Sequence, residues 1–175
     1  NYAQAGQAVI AGANTFANLT LTGGTIKTAE AGFGSNQTIT GTLTINGQSA
    51  INRLLVGSNA IGTARTLTAA TVTVTNADFR DITGAGAGSW DLSAITGGSG
   101  NAGGNTGITF TTAANQYMKT AVSVNWSASN WYTTSGGSTP GRVPLPQDTA
   151  IFDANSITAG SVTITQDMPR IGSVN

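Results

Sequence analysis

The sequence predicts an all-β protein, folded as a right-handed parallel β-solenoid, with an antiparallel β-sandwich as the alternative. Alternation of apolar residues with threonine recurs along the chain, and this period of two is typical of strands with one buried face. Clusters of Gly, Asn and Ser separate the alternating segments and indicate turns. The charged share is only 8%, and a chain poor in Lys and Glu but rich in Thr favours strands over helices. We therefore expect almost no helix.

Six segments carry the alternation, each with apolar side chains on one face and polar side chains on the other. In chain order their apolar positions are Leu19 and Leu21; Ile39, Leu43 and Ile45; Val72 and Val74; Ile108 and Phe110; Val122 and Val124; and Val162 and Ile164. A strand presents successive side chains to opposite faces, so each segment is predicted to be a half-buried strand.

The intervals between these strands favour the solenoid over the sandwich. Alternating segments recur at roughly 12 to 30 residues without the regular rhythm of hairpins, and repeats of about 20 to 30 residues are typical of solenoid coils. Stacked coils also bring like residues into ladders, where Thr, Ser and Asn are tolerated and like charges repel. With 175 residues, we expect one domain spanning 1–175.

Residues 125–156 concentrate two of the three tryptophans and three of the four prolines. Trp126 and Trp131 are five apart and would lie on opposite faces of a straight strand, so we expect a turn between them that lets both rings pack. Three prolines fix the backbone and remove strand donors, which predicts an excursion from the sheet over 136–147. This interpretation makes the window a structural corner.

Two acids in the same window fit the corner. Asp148 precedes an apolar strand and Asp153 follows it, where carboxylates commonly accept backbone N–H groups. The alternative is a carbohydrate-binding site: Trp126, Trp131 and Tyr132 would form an aromatic platform for a sugar ring, with Asp148 and Asp153 bonding its hydroxyl groups.

A second acidic pair, Asp78 and Asp81, is a weak candidate for a metal site or an acid/base pair. With Asp91 added, the set would suit a polysaccharide lyase or hydrolase. Lyases, however, need basic groups to neutralise a uronate, and none is clustered here. The sequence therefore predicts no catalytic residues and no enzyme.

Threonine pairs such as Thr20 with Thr22 and Thr42 with Thr44 suggest a third alternative, an ice-binding solenoid. Their spacing along the sequence is uneven, whereas a flat array requires regular repeats. Ice binding is therefore the weaker interpretation.

Charge and composition exclude several other classes. The seven basic residues are balanced by seven acidic ones and are scattered, so the sequence predicts no nucleic-acid partner. There is no histidine and no cysteine, which removes the commonest metal ligand and thiol chemistry. We expect no cofactor. The N-terminal residues contain neither a signal peptide nor a membrane span, and the apolar stretch restarting in DMPRIGSVN favours an excised piece of a longer fibrous protein.

Two stretches resemble known fibrous proteins. TVTVTNADFRDITGAG followed by GGNTGITFTT is similar to the coils of β-helix proteins in bacteriophage tail fibres and bacterial surface adhesins. A second resemblance is to repeats in the same virion and autotransporter-like proteins. It is carried by the window with Trp126 and Trp131 and by the two stretches that follow, PGRVPLPQDTAIFDANS and VTITQDMPRIGSV. The resemblance covers roughly residues 66–175.

The resemblance implies a structural or adhesive module of a virion tail fibre or cell-surface fibre that presents loops for attachment. It also implies a viral or extracellular location. The partners it implies are neighbouring coils or identical chains, including a homotrimer, and a surface glycan. The unpaired strand edges of an open solenoid give an independent reason to expect such neighbours.

Overall fold

A computed structural model describes the backbone of residues 2–4 and 7–175. The chain forms two compact units, Asn1–Thr111 and Thr112–Asn175, where the sequence led us to expect one domain spanning 1–175. The described residues contain strands, bridges, turns and bends and no helix. The predicted all-β class is confirmed. Consequently, no helix in the described part of the chain is long and apolar enough to cross a membrane.

The N-terminal unit contains two sheets. Sheet 1 has the order β1, β4, β6, β8, β10, with β3 also paired to β6, and sheet 2 has the order β11, β9, β7, β5, β2. The strands are β1 (Tyr2–Gln4), β2 (Gln7–Ile10), β3 (Asn14–Phe16), β4 (Leu19–Gly23), β5 (Glu30–Phe33), β6 (Gln37–Asn46), β7 (Leu54–Ser58), β8 (Arg65–Thr75), β9 (Ala77–Arg80), β10 (Ile82–Ala85) and β11 (Ser99–Asn101).

The chain passes back and forth between the two sheets, one strand at a time except that the consecutive strands β3 and β4 both lie in sheet 1 and form a single visit to it. Every strand pair of this unit in the described residues is parallel. An antiparallel sandwich would pair its neighbouring strands in opposite directions. The pairing of the N-terminal unit therefore differs from that alternative.

Pairing in register stacks apolar side chains into ladders. Leu21 pairs with Ile45, which pairs with Val74, and all three are buried. In sheet 2, Val56 pairs with Phe79, and both are fully buried. The ladders of the two sheets belong to one hydrophobic cluster. Because apolar burial contributes about 25 cal/mol per Å², this cluster is the main source of stability in the unit.

Sheet 2 was largely missed by the sequence analysis. Its strand β7, LLVGS, is buried at all five positions, and β5 reads EAGF. Parallel strands covered on both faces lose the alternation of apolar and polar residues, and short apolar runs have no diagnostic period. The alternating strands β4, β6 and β8 were predicted because one face of sheet 1 is in contact with solvent.

The C-terminal unit contains a four-stranded sheet in the order β14, β12, β15, β17 and a two-stranded sheet of β13 and β16. Its pairs are parallel except for β12 with β14. The strands are β12 (Asn115–Met118), β13 (Val124–Asn125), β14 (Trp131–Tyr132), β15 (Thr149–Ile151), β16 (Ile164–Thr165) and β17 (Ser173–Val174). Parallel and antiparallel pairing are therefore mixed in this unit.

Three of the six predicted strands differ from the structure, and one of them is the segment with Val162 and Ile164, in which only Ile164 lies in a strand. Residues 106–112 form only isolated bridges, including Thr109 with Asp91, although Ile108 and Phe110 pack against the core. Val122 is 63% exposed and precedes β13. These segments lie where the pairing ends, so the alternation of side chains occurs there without a continuous ladder of hydrogen bonds.

Candidate functional site

The tryptophan window forms a closed aromatic cluster in the C-terminal unit. Trp126 and Trp131 are 5% and 1% exposed, and their ring centroids lie 4.8 Å apart. The Phe152 ring lies 5.9 Å from each of them. Aromatic pairs at such distances attract each other through offset or edge-to-face contacts. The indoles thus pack against other rings and present no open face to solvent.

A turn after β13 brings the two indoles together. Ala128 donates its backbone N–H to the Asn125 carbonyl at 3.0 Å, and the Trp131 indole donates to the Trp126 carbonyl at 2.7 Å. The turn therefore lies where the sequence places it. Trp131 then pairs with Met118 in the antiparallel strand β12, which fixes its ring inside the unit.

The Trp126 indole N–H is buried without a hydrogen-bond partner in the described part of the chain. An unpaired buried donor costs about 1–3 kcal/mol. Its neighbours Trp131 and Phe152 are aromatic rings, which offer no strong acceptor. Burial of the two large indole rings contributes favourable free energy that offsets this cost.

Asp148 is fully enclosed in the same unit. Arg142 donates to both carboxylate oxygens, from Nε to Oδ2 at 2.8 Å and from Nη2 to Oδ1 at 2.6 Å. The backbone N–H groups of Ala114 and Leu145 each donate at 2.8 Å. With four donors and 1% exposure, the carboxylate has no capacity left for a sugar hydroxyl. It joins residues 112–114 to the proline-rich segment.

Residues 136–147 contain no strand, and Pro140 makes an isolated antiparallel bridge with Tyr132. Arg142 reaches from this segment to the Thr112 carbonyl at 2.8 Å. Lys119 binds the segment from the other side through the Gly136 carbonyl, at 2.6 Å from Nζ. The excursion is thus held by its own Arg142 and, from outside the segment, by Lys119.

Asp153 closes the turn after β15. Its Oδ1 accepts the backbone N–H of Asn155 at 2.9 Å. The hydrogen bond from the Ser135 side chain, followed by the one from the Asn155 backbone, holds the pKa of Asp153 below its usual value. Of the five residues of the suggested carbohydrate site, Trp126, Trp131 and Asp148 are buried, Tyr132 is half-buried in β14 and Asp153 lies at a turn. Sugar binding by them stays a prediction.

The second acidic pair is separated into two different environments. Asp78 lies in β9 and pairs with Arg53, with 2.6 Å between Nε and Oδ1. Asp81 follows β9 with a positive φ of 54°, and its Oδ2 accepts the Gly62 N–H at 2.9 Å. Among the described residues, no group of three or more acids lies close enough together to hold a metal ion.

Asp91 does not join this pair. It is an exposed residue in an isolated bridge with Thr109, and its carboxylate accepts both the backbone N–H and the hydroxyl of Ser93. These bonds, the hydroxyl first, lower the pKa of Asp91. The three aspartates thus have separate structural partners, and their arrangement favours capping over acid/base chemistry.

Two residues central to these sites were missed by the sequence analysis. Arg53 and Arg142 each pair with a candidate aspartate. Arg142 stands only six residues before Asp148, so proximity could have suggested that pair. Arg53 stands 25 residues before Asp78, and only knowledge of the strand register would have connected them.

Comparisons with family models, curated proteins and solved structures found no match for the chain.

Proposed function

We propose that the chain is a right-handed parallel β-solenoid that serves as a structural or adhesive module of a virion tail fibre or cell-surface fibre. The observation that carries this proposal is the alternation of strands β1 to β11 between two parallel sheets, each strand pairing with the strand of the next visit. One visit to each sheet then constitutes one coil. The right hand follows from the strong preference of parallel crossover connections.

The distribution of buried and exposed side chains supports a scaffold whose stability comes from its core and whose loops are presented to solvent. Apolar ladders fill the space between sheets 1 and 2, while the turn at residues 59–64 carries Ile61 at 80% exposure. A stacked scaffold gains stability from neighbouring coils. It can therefore hold variable loops in solvent without requiring them for folding.

The partners that we propose are neighbouring coils or identical chains of a fibre, such as a homotrimer, and a surface glycan. An outermost strand has unpaired N–H and C=O groups, which favour further pairing. The proposed location is accordingly a virion or the cell exterior, and we propose no catalytic activity.

Paired cysteines test the stacking in solution. Thr44 and Thr73 are register partners in β6 and β8, and adjacent strands lie about 4.8 Å apart, within reach of a disulfide. We expect Thr44→Cys with Thr73→Cys to form an intramolecular disulfide on mild oxidation. The matched control, Thr25→Cys with Thr73→Cys, should stay reduced. Free thiols in the first variant after oxidation would contradict the pairing of Thr44 with Thr73. Because the chain has no natural cysteine, all thiols that are counted come from the introduced residues.

Binding of the fluorescently labelled full chain to bacterial cells and immobilised glycans tests attachment. We expect saturable binding that unlabelled chain displaces and that Ile61→Ser weakens, because Ile61 is available for contact at a loop tip. Thr25→Ser is the control for a conservative exposed change. If no cell or glycan surface binds the folded chain, the adhesive role is wrong and only the structural role remains.

A further inference from the structure

The solvent-facing side of sheet 1 carries an ordered set of hydroxyl groups, which we call the threonine array. It occupies three neighbouring strands, and its inward neighbours such as Leu21, Leu43 and Ile45 are buried. The array consists of Thr20 and Thr22 in β4; Thr42, Thr44 and Asn46 in β6; and Thr71, Thr73 and Thr75 in β8.

The pairing register aligns these side chains into columns across the strands. Thr20 pairs with Thr44, which pairs with Thr73. Beside this column, Thr42 pairs with Thr71. On its other side, Thr22, Asn46 and Thr75 follow one another in the same way. Eight polar side chains thus form a grid of three columns.

The grid exists although the sequence intervals are unequal. Asn18 and Thr42 are 24 residues apart, whereas Asn46 and Thr75 are 29 apart. Loops between the sheets take up the difference, and the irregularity between Ile39 and Thr42 precedes the array. The uneven spacing that weakened the ice-binding interpretation therefore does not prevent a regular array.

Seven of the eight positions of the array are threonines, and the eighth is Asn46. Neighbouring strands repeat at about 4.8 Å and alternate residues along a strand at about 6.6 Å, so the side chains form a two-dimensional lattice. Thr75 donates to the Asn46 side chain at 3.3 Å. In the part of the chain that the structure describes, the hydroxyl groups of Thr20, Thr44 and Thr73 have no hydrogen-bond partner.

The eight positions of the array carry no charge, whereas sheet 2 places the Arg80–Glu30 ion pair on its strands. Charged groups bind water strongly and in their own orientations. A neutral surface made mostly of methyl and hydroxyl groups, with one carboxamide at Asn46, instead lets water arrange between the side chains and bond to their polar groups. A ligand that fits such a lattice must itself be periodic in two dimensions.

We propose that the threonine array binds the ordered water of an ice surface. The hydroxyl groups of its columns hydrogen-bond to water molecules that continue into the crystal, and the methyl groups fill the spaces between them. Adsorbed protein then hinders growth of the crystal at that face. This activity requires the register of β4, β6 and β8 and does not depend on attachment or on a fibre.

The test is inhibition of ice recrystallisation, together with thermal hysteresis, by the purified full chain. We expect the chain to inhibit crystal growth and to lose most of this activity in the variant Thr44→Lys with Thr73→Lys. The control is Thr25→Lys with Thr28→Lys, which adds the same charge at two exposed positions of the β4–β5 turn and should keep the activity.

A milder variant separates recognition from folding. Thr44→Val with Thr73→Val retains the methyl groups and suits a strand, and we expect it to remain folded by circular dichroism while its ice activity falls. The proposal is overturned if the wild-type chain does not affect ice growth, or if the lysine variant is as active as its control. Dissociation of a dimer by the lysine variant, without any ice activity, would identify the array as a contact between copies and would also overturn it.

Discussion

Arg53 and Asp78 form an ion pair that is shielded from solvent, with 2.6 Å between Arg53 Nε and Asp78 Oδ1 and side-chain exposures of 3% and 2%. The guanidinium also donates to the carbonyls of Ala77, Gly97 and Gly98. The pair therefore connects the segment before β7 with β9 and with the loop before β11. Asp78, which the sequence suggested as a metal ligand, thus forms an ion pair that holds successive parts of the fold together.

Removal of Asp78 should be strongly destabilising. Asp78→Ala leaves the buried Arg53 cation without its carboxylate counter-ion, so we expect the free energy of unfolding to fall by about 3–5 kcal/mol. Urea unfolding followed by circular dichroism measures the change. The half-buried pair of Arg80 and Glu30 supplies the control, because Glu30→Ala should cost clearly less. Equal losses in the two variants would contradict a special role for the buried pair.

Truncation of Trp131 should unfold the aromatic cluster. The side chain is 1% exposed and contacts two other rings, so Trp131→Ala is expected to lower the free energy of unfolding by about 3–5 kcal/mol. Thermal and urea unfolding measure this loss, with the half-buried Tyr132→Ala as the milder comparison. A stable Trp131→Ala protein that has lost binding on a glycan array would instead support the carbohydrate platform.

Acid should weaken the turn closed by Asp153. Because its pKa is lowered in the folded state, the ionised carboxylate contributes stability above its unfolded pKa of about 3.9, and this contribution is lost as pH falls through the folded pKa. We expect the unfolding midpoint of wild type to decrease over that acidic range more than that of Asp153→Asn. Identical pH profiles from neutral pH downwards would show that the turn does not depend on the charge.

Gly84 should not tolerate a side chain. A Cβ at this position would lie 2.6 Å from Cδ2 of Trp90, whose indole donates to the Ala85 carbonyl at 3.0 Å. We expect Gly84→Ala to displace the ring and to cost about 1–3 kcal/mol. Thermal unfolding and tryptophan fluorescence measure the two effects. At Gly32 the nearest atoms are 3.5 Å away, so Gly32→Ala should be nearly neutral, and a similar cost at both positions would contradict the steric argument.

The tryptophan window shows how far local sequence reasoning reaches. The turn between Trp126 and Trp131 and the acceptance of a backbone N–H by Asp153 after its strand involve residues close in sequence, and these two features were predicted, whereas the donor, Asn155, was not. The burial of both indoles depends on Phe152 and on the pairing of Trp131 with Met118. Such contacts join distant segments, and no local pattern specifies them.

The sequence by itself determined the all-β class and the inward residues of β4, β6 and β8 in sheet 1, because alternation along a strand assigns each residue to a face. It could not determine sheet 2, because its central strands β5, β7 and β9 are largely buried on both faces and lack a period. Only the tertiary structure decided that Arg53 meets Asp78 and that Thr20, Thr44 and Thr73 form one column. Register between strands depends on how loops of unequal length close, and that is a property of the whole fold.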